Sequence, residues 1–450
     1  MPSYGGLPVV VAGAGVSGTA AARVLRDLGA RVTVVDASAE ALESAAEQGF
    51  AVASSLPREL ELVVTSPGFR PSVPMLVEAA SRGVEVIGEV ELAWRLRPPS
   101  AAPWLALTGT NGKTTTVRML EAILRAAGLS AVAAGNVGLP LLDAVLAATP
   151  YDVLAVELSS FQLYWSSTVR PHTGALLNLA DDHTDWHGSF RDYTLAKARI
   201  FDADTSIGNA DDEVVRTLQD RARGRRVSFT LRTPRTGELG VVEHLLVDRA
   251  FPDVAGEATE VATIEDVGVP GDHNVANALA AAAMARSYGV PAAAVRDGLR
   301  AFVPEPHRNA LVRVVDEVSW VDDSKATNPH AAAASLASYS PVVWVAGGLL
   351  KGADVDELVR RAAPRLRAVV LLGTDRAPLL DALSRHAPEV PVVEVTRLDT
   401  GAMQEVVQAA RSLARPGDTV LLAPAAASMD CFKDYKQRGD LFAEAVRALA

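Results

Sequence analysis

LALTGTNGKTTTVRML, residues 105–120, decides the fold of this chain. The apolar run Trp104–Leu107 predicts a short buried strand, Gly109 and Gly112 predict a turn, and a helix is expected from Thr114 onward. At the start of a helix the backbone N–H groups have no partner within the helix, and the helix dipole favours negative charge there. The stretch therefore predicts a loop that binds phosphate groups.

Two side chains in this loop suit a nucleotide with its Mg²⁺ ion. Lys113 would place a positive charge beside the β- and γ-phosphates, and the Thr114 hydroxyl lies where a Mg²⁺ ligand belongs. The usual P-loop pattern has a glycine at the position of Leu107, so the chain carries the more compact motif TGTNGKTT instead. A plain strand-to-helix turn is the alternative interpretation.

Length and composition indicate a soluble cytoplasmic protein. A chain of 450 residues, 49% hydrophobic and 22% charged, is long enough for about three domains with buried cores. Its net charge of −11 disfavours nucleic acid as a partner. Cys431 is the single cysteine, so we expect no intrachain disulfide and a reducing compartment. We also expect no signal peptide and no membrane span, because long apolar runs are absent from the sequence.

Apolar strands alternate with amphipathic helices along nearly the whole chain. Runs such as PVVVAG, RVTVVD, DVLAVELSSFQL and PVVWVAGG predict α/β domains whose parallel sheets are covered by helices on both faces. The proline-containing segments RLRPPSAAPW and FVPEPHR read as linkers. We therefore predict three domains, at residues 1–98, 99–304 and 305–450.

The first domain carries a second phosphate-binding turn. Gly13–Gly18 fits G-x-G-x-x-G between a strand and a helix, and Asp36 ends the next strand, near where an acidic residue would bind a ribose hydroxyl. The pattern alone is compatible with NAD or FAD, but the same turn holds any nucleotide diphosphate. We favour a nucleotide diphosphate, since only this fragment fits a dehydrogenase. The loop Thr65–Gly68 should lie at the same sheet edge.

The middle domain adds candidates for metal and nucleotide binding. Glu157 near the end of the strand DVLAVELSSFQL is well placed for Mg²⁺, although a solvated strand-end carboxylate is the alternative. His183 in an acidic loop and Lys197 in a helix could bind metal or phosphate, or be a structural histidine and a solvated lysine. Asn274 at the start of a helix could bind a ligand or cap the helix.

Three polar loops follow strands in the last domain. The segment Asp322–Asn328 (DDSKATN) clusters charged and hydrogen-bonding groups, AGGLLKGAD carries Lys351, and Ala423–Arg438 enters a helix. Loops at the carboxyl edge of a sheet commonly carry binding sites. We expect these loops to form one binding cleft that faces the middle domain.

These motifs together resemble the Mur ligase family, whose members add amino acids to the muramoyl peptide of peptidoglycan precursors. TGTNGKTT, GNVG, ELSSFQL, DDHTDWHG with downstream AKARI, GDHNVANALAA and an HR pair follow the family order over nearly the whole chain. DSKATN and SMDCFKDYKQRG resemble the branch that adds D-glutamate. The resemblance implies a Rossmann-like UDP-binding domain, a central P-loop ATPase-type domain and a Rossmann-like C-terminal domain.

The resemblance also implies an activity. The chain would be an ATP-dependent, ADP-forming ligase that joins D-glutamate to UDP-N-acetylmuramoyl-L-alanine through an acyl phosphate. This is a cytoplasmic step of peptidoglycan precursor synthesis, and we expect a monomer with two Mg²⁺ ions.

Site residues follow from the resemblance position by position. The UDP-substrate would contact Gly15, Val16, Ser17, Gly18, Asp36, Ser66, Pro67, Gly68 and Asn136. ATP would contact Gly109, Thr110, Asn111, Gly112, Lys113, Thr114, Thr115, Asn274, Arg308 and Asp323. D-Glutamate would contact Lys325, Thr327, Lys351, Ser428 and Tyr435. One Mg²⁺ would bind Thr114 and Glu157, and the second His183 and a carbamylated Lys197, with Lys113, His183 and Lys197 as the catalytic residues.

Three other functions are compatible with parts of the sequence. A folylpolyglutamate-type ligase shares the last two domains but lacks the first, so Gly13–Gly18 argues against it. A dehydrogenase with an accessory NTPase domain would bind NAD. A non-catalytic nucleotide sensor is disfavoured because every catalytic position of the family is filled. Two positions depart from the family pattern: Tyr435 replaces a phenylalanine, and Leu349-Leu350 replaces a polar or acidic residue.

Overall fold

The computed structural model describes residues 4–254 and 256–449, and three sheets hold its strands. The chain separates into two compact units. One comprises the residues up to Val267 together with Ala276–Phe302, and the other comprises Gly268–Val275 and the residues from Val303 onward. The α/β fold class predicted from the sequence is confirmed, whereas the three domain boundaries remain predictions.

The first sheet is parallel throughout, with the order β3-β2-β1-β4-β5. Its strands are β1 (Pro8–Ala12), β2 (Arg31–Val35), β3 (Ala51–Ala53), β4 (Leu62–Thr65) and β5 (Glu85–Gly88). Its helices are α1 (Val16–Asp27), α2 (Ala39–Glu47), α3 (Pro74–Ser81) and α4 (Glu89–Leu96). The strand order reverses between β1 and β4, and open α/β sheets bind ligands at such a point. The Gly13–Gly18 turn and the Ser66 loop both follow these two strands.

The second sheet has nine strands in the order β14-β13-β12-β11-β10-β9-β6-β8-β7. These are β6 (Trp104–Thr108), β7 (Ala131–Gly135), β8 (Val153–Glu157), β9 (Thr173–Leu176), β10 (Thr205–Asn209), β11 (Arg225–Phe229), β12 (Glu238–Val242), β13 (Leu245–Asp248) and β14 (Thr259–Thr263). The helices in this part of the chain are α5 (Lys113–Ala126), α6 (Leu141–Val145), α7 (Ser160–Tyr164), α8 (Thr184–His187), α9 (Phe190–Ala198), α10 (Glu213–Gln219), α11 (Asp272–Ser287) and α12 (Ala292–Ala301), with 3₁₀ turns at Arg199–Phe201 and Glu265–Val267.

Two features of this sheet differ from the sequence prediction. The segment DVLAVELSSFQL is not one strand: β8 ends at Glu157 and α7 begins at Ser160. The reason is a capping box, in which the Ser159 side chain accepts from Gln162 N (3.1 Å) and Gln162 Oε1 accepts from Ser159 N (2.9 Å). In addition, β12, β13 and β14 pair antiparallel, so the sheet is mixed rather than wholly parallel.

The third sheet lies in the second unit, with the order β15-β16-β20-β17-β18-β19. Its strands are β15 (Ala310–Val315), β16 (Val318–Asp322), β17 (Val342–Gly347), β18 (Leu366–Leu372), β19 (Val392–Glu394) and β20 (Thr419–Leu422). Its helices are α13 (Pro329–Ala337), α14 (Asp356–Ala362), α15 (Arg376–His386), α16 (Ala402–Leu413) and α17 (Tyr435–Arg447), with a 3₁₀ turn at Ala363–Arg365. The hairpin β15–β16 is antiparallel and the other pairs are parallel. Because β16, β20 and β17 are neighbours, the three predicted polar loops leave the sheet side by side.

The strand β6 occupies the interior of the second sheet. It lies between β8 and β9, and all five of its residues are buried. An apolar strand buried on both faces fixes the start of the phosphate loop on a rigid element. No helix among residues 4–254 and 256–449 is both long and apolar enough to cross a bilayer.

Helix α5, which carries Lys113, is held from outside by α12. Gly298 of α12 lies so close to α5 that an added Cβ would overlap the Cα of Ile123. Protein interiors are close-packed, so such an overlap would push the two helices apart.

We therefore expect Gly298→Ala to destabilise the first unit by about 1–3 kcal/mol, because the methyl group overpacks the helix pair. The measurement is the melting temperature followed by circular dichroism. Gly5→Ala is the control, since a Cβ there meets nothing within 4 Å. An equal melting temperature for Gly298→Ala and Gly5→Ala would show that the α5–α12 contact is not tight.

Candidate active site

The phosphate loop connects β6 to α5 as predicted. Gly112 precedes the helix with a left-handed φ of +80°, a conformation that favours glycine. Lys113 Nζ donates to the carbonyl oxygens of Gly109 and Thr110, both at 2.9 Å. Thr110 is buried, whereas Asn111 and Thr115 are half-buried. The loop therefore surrounds the ammonium group of Lys113. This places a positive charge where the phosphate oxygens of a nucleotide require one.

The far side of the loop is anchored by two asparagines outside the loop motif, of which the sequence analysis did not identify Asn178. Asn178 Oδ1 accepts from Asn111 N at 2.8 Å, and Asn178 Nδ2 donates to Asn111 O at 3.0 Å. Asn277 Oδ1 accepts from the Thr116 hydroxyl at 3.2 Å. An added Cβ on Gly112 would overlap this same amide oxygen. The asparagine side chains thus fix the loop backbone from outside the motif.

Glu157 joins the phosphate loop to the loop that carries Asn136. It ends β8 and is 1% exposed. One carboxylate oxygen accepts from the Thr114 hydroxyl at 2.8 Å and the other from Asn136 Nδ2 at 2.9 Å. A hydroxyl and a carboxylate are hard oxygen ligands of the kind Mg²⁺ prefers.

Lys197 lies in the interior, behind the same loop. It is 2% exposed on α9, and its Nζ donates to Gly109 O at 2.8 Å and to Thr108 Oγ1 at 3.1 Å. Burial, and then the positive charge of Lys113, lower the pKa of Lys197 well below its usual value of 10.5. The buried amine is therefore biased towards its neutral, nucleophilic form.

His183 and Tyr193 complete this side of the site. The His183 side chain is half exposed, and its ring lies 4.8 Å from the ring of Phe161. Burial lowers the pKa of His183, so the imidazole is neutral and able to bind a metal ion. Tyr193 was missed: its hydroxyl is 2.8 Å from Thr110 Oγ1 and its ring lies 4.9 Å from Lys197 Nζ. Tyr193 could have been identified from the sequence, because it lies four residues before Lys197 and therefore on the same face of the helix.

Within the described residues, no three His, Cys, Asp or Glu side chains are placed to hold one metal ion together. A cation here would therefore also need ligands from a nucleotide, from water or from a modified side chain.

The predicted nucleotide site of the first sheet is a tight glycine turn. A Cβ on Gly18 would overlap Gly13 O, and Gly15 precedes α1, where Val16 is 79% exposed and Ser17 is half-buried. Asp36 supports the turn by accepting from Ala14 N and Ser38 N, both at 2.8 Å.

The neighbouring loop, residues 66–68, leaves β4 towards this turn, because Ser66 N donates to Ala12 O at 2.8 Å. Pro67 is half-buried and Gly68 exposed. The Ser66 hydroxyl oxygen is buried and has no hydrogen-bond partner among the described residues. Buried polar atoms are normally paired, so this one suits a ligand that supplies the partner.

In the second unit, two candidate residues for amino-acid binding meet directly. Lys325 Nζ lies 3.8 Å from the centre of the Tyr435 ring, a cation–π contact. Leu349 and Ala427 exchange two backbone hydrogen bonds of 2.8 and 3.0 Å, which set the loop of Lys351 beside that of Ser428. Ser428 is buried and Lys351 exposed.

The other candidates of this unit occupy its polar loops. Thr327 N donates to Lys325 O at 2.8 Å. Burial raises the pKa of Asp323 to about 6, although its hydrogen bonds and the charge of Arg308 oppose this. Arg308 lies 3.7 Å from Glu305, and buried Asn274 donates from Nδ2 to Pro270 O at 2.8 Å.

A buried network that sequence analysis missed ties these loops together. Asp322 accepts from Ser324 N (2.9 Å) and lies 2.6 Å from His307 Nδ1. Arg438 donates to Ser324 Oγ and O and to Ala426 O at 2.9–3.1 Å. Arg438 lies in the SMDCFKDYKQRG motif, but its partners come from two distant loops, so the sequence did not reveal its role.

Comparison with known proteins covers the whole chain. Residues 107–285 match the Mur ligase middle domain, residues 307–426 the Mur ligase glutamate ligase domain, and residues 3–66 the C-terminal domain of alanine dehydrogenase/PNT. The chain is 60% identical to the UDP-N-acetylmuramoylalanine–D-glutamate ligase of Thermobifida fusca (strain YX), over 99% of both chains. It is 56% identical to the Streptomyces avermitilis ligase of the same name, over 100% of both.

A solved UDP-N-acetylmuramate-alanine ligase from Thermotoga maritima has the same fold. The TM-score is 0.59 at 19% identity, covering 98% of this chain and 99% of that one.

The close approach of Asn277 to Gly112 can be tested by substitution. We expect Gly112→Ala to weaken ATP binding at least tenfold, because the methyl group displaces Asn277 and distorts the loop. Gly128→Ala, just beyond the other end of α5, is the matched control: its φ of +82° imposes the same backbone strain, but a Cβ there meets nothing. Both variants are titrated with ATP by calorimetry. Equal ATP affinity for the two variants would contradict the role given to Asn277.

Proposed function

Because the chain belongs to the Mur ligase family, we propose that it joins D-glutamate to UDP-N-acetylmuramoyl-L-alanine while ATP is converted to ADP and phosphate. Its relatives with this name match it over essentially their full length, at up to 60% identity. One observation carries the proposal at the level of the site. The hydrogen-bonded series Thr114–Glu157–Asn136 links the phosphate loop to the loop assigned to the muramoyl substrate. Such a link suits an enzyme that brings a carboxylate to the γ-phosphate of ATP.

The first step activates the substrate carboxylate. Amide formation from a free carboxylate is unfavourable in water, so the carboxylate attacks the γ-phosphorus in line and ADP leaves. Two anions must approach each other, and charge develops on the equatorial phosphate oxygens. Lys113, held by Gly109 O and Thr110 O, offsets that charge without reorganising. The product is an acyl phosphate.

The second step forms the amide. The neutral α-amine of D-glutamate attacks the acyl carbon, its nitrogen gives up one proton to the departing phosphate, and the tetrahedral intermediate collapses to the amide. D-Glutamate carries two carboxylates, and Lys325 and Lys351 offer two positive charges for them, with Thr327, Ser428 and Tyr435 as further contacts. The Tyr435 ring against Lys325 restricts that side chain, which lowers the entropy lost on binding.

The residues present fit one Mg²⁺ directly. Thr114 and Glu157 supply the hydroxyl and carboxylate oxygens such an ion requires. When bound, Mg²⁺ neutralises phosphate charge and polarises the phosphorus–oxygen bonds. Asn136, which now donates to Glu157, would be freed to contact substrate when the carboxylate binds the ion.

A second ion would need Lys197 to be modified. An amine is a poor ligand for Mg²⁺, whereas a carbamate supplies oxygen atoms. The lowered pKa of Lys197 supports this modification, since only a neutral amine adds to carbon dioxide. His183, kept neutral by burial, would be its partner ligand.

The first domain would bind UDP rather than NAD. The match to a dehydrogenase domain covers residues 3–66 only, whereas the ligase relatives span the chain. Gly15–Gly18 and Ser66–Gly68 would hold the diphosphate, and Asp36 orients the turn through two backbone N–H groups. Asn274, Arg308 and Asp323 would contact ATP. We place the reaction in the cytoplasm, where ATP and the UDP-linked substrate both occur. We expect the protein to be a monomer.

The proposal is tested by phosphate release from ATP in the presence of UDP-N-acetylmuramoyl-L-alanine. D-Glutamate, L-glutamate, L-alanine and diaminopimelate are added in turn, and the product is identified by mass. We expect release and a new amide with D-glutamate only. Release with another amino acid would refute the assigned specificity, and NAD binding to the first domain would refute the UDP assignment.

We expect Lys197→Ala to be inactive and to recover part of its activity in millimolar acetate or formate. The small carboxylate replaces the lost carbamate oxygens in the cavity left by the side chain. Lys113→Ala is the control, because its lost group is a cation that no carboxylate can replace. Initial rates are measured with and without the added acid. Full activity of unsupplemented Lys197→Ala would rule out the carbamate.

A further inference from the structure

Helix α4 buries two carboxylates that the reaction does not use. Glu91 is 0% exposed and accepts from Ser167 N (2.8 Å), Thr168 N (3.0 Å) and Thr168 Oγ1 (2.6 Å), with Ser167 Oγ at 3.3 Å. Arg95 Nε adds a fifth hydrogen bond at 2.9 Å. Burial opposes ionisation, but these hydrogen bonds outweigh it and hold the pKa of Glu91 below its usual value.

The donors to Glu91 come from another part of the chain. Helix α4 follows the last strand of the first sheet, whereas Ser167 and Thr168 follow α7 of the second sheet. Gly88, immediately before α4, also donates from its N–H to Trp165 O at 2.9 Å, and a Cβ there would lie 2.9 Å from Trp165 Cβ. The two sheets are therefore joined at this point by a charged, desolvated cluster.

This cluster continues into the predicted UDP site. Trp165 Nε1 donates to Phe69 O at 3.4 Å, and Trp186 Nε1 donates to Gly68 O at 3.2 Å. Both acceptors belong to the loop that follows β4. The segment fixed by Glu91 thus contacts Phe69, the residue directly after the loop assigned to the diphosphate, and Trp186 of α8 contacts Gly68 within that loop.

Glu89, the second buried acidic residue of α4, contacts helix α6. It is 5% exposed, and its Oε1 accepts from Leu142 N (3.1 Å) in the first turn of α6. Helix α6 directly follows the Asn136 loop, and Asn136 binds Glu157. One short helix therefore contacts two elements that accompany the second sheet, namely α6 and the segment after α7.

We propose that Glu91, assisted by Glu89, is a positioning residue that sets the separation between the UDP-binding turn and the phosphate loop. The inference rests on the proposed function, in which a single substrate spans both sites. The uridine diphosphate of that substrate would lie at the UDP-binding turn, and its carboxylate must reach the γ-phosphate of ATP at the phosphate loop. Misplacement by about 1 Å can cost a hundredfold in rate, so the spacing needs a rigid support. The phosphates of ATP bind only at the phosphate loop, so the affinity for ATP does not depend on the separation between the two sites.

The test is steady-state kinetics of Glu91→Gln. The amide keeps the shape of the side chain but presents an N–H₂ group to the N–H and O–H donors of residues 167 and 168. We expect kcat/KM for UDP-N-acetylmuramoyl-L-alanine to fall at least tenfold, while KM for ATP and the affinity for UDP alone change less than threefold. Ser167→Ala/Thr168→Val, which removes two donors from the other side, should shift the same parameter in the same direction.

Glu85→Gln is the matched control. Glu85 binds the same Arg95 as Glu91, but its side chain is 53% exposed and it makes no contact with residues 167 and 168 among its described hydrogen bonds. We expect wild-type kinetics from it.

Two results would overturn the inference. One is an unchanged kcat/KM for the UDP-substrate in Glu91→Gln. The other is an equal loss for ATP, UDP and the full substrate with a lowered melting temperature, which indicates general destabilisation. Wild-type protein without D-glutamate-dependent turnover would instead refute the proposed function itself, before any variant is measured.

Discussion

The carbonyl oxygen of Gly109, shared by two lysines, is the constraint on which the site depends. Lys113 and Lys197 both donate to it, at 2.9 and 2.8 Å. Two ammonium groups this close in a desolvated place repel each other, and the more deeply buried one loses its proton more readily. The pKa of Lys197 is therefore lowered, and its amine is biased towards the neutral form. Two chemically identical side chains are thus made different by burial and by their mutual repulsion.

Much of the fold was predictable because its signals are local. TGTNGKTT marks a strand, a turn and a helix by residue type, and the structure has them within one residue of the prediction. The prediction of one strand over residues 152–163 was wrong beyond Glu157. The Ser159–Gln162 capping box, which begins a helix, had been overlooked. The antiparallel β12–β14 extension was not predicted either, since its pairing depends on partners rather than on local pattern.

The candidate site was predictable as a set of residues but not as an arrangement. Tyr193 was within reach of sequence reasoning, because it lies one helical turn from Lys197. Asn178 was not, since only its contact with the phosphate loop distinguishes it, and the contacts of Arg438 depend on distant loops although the residue lies in the SMDCFKDYKQRG motif. The same holds for Glu91, which in the sequence is an ordinary acidic residue of an amphipathic helix. Burial and hydrogen-bond partners, which only the folded chain reveals, separate these side chains from solvated ones.

In the proposed mechanism, the substrate carboxylate attacks ATP before the amine attacks the carbon. This order of steps is tested with UDP-N-acetylmuramoyl-L-alanine whose terminal carboxylate carries ¹⁸O in both oxygens. Turnover with ATP and D-glutamate is followed by mass analysis of the released phosphate. The acyl-phosphate route predicts one ¹⁸O atom in each phosphate and one in the amide product. Phosphate free of label would contradict the account, because the carboxylate oxygen would then never have bonded to phosphorus.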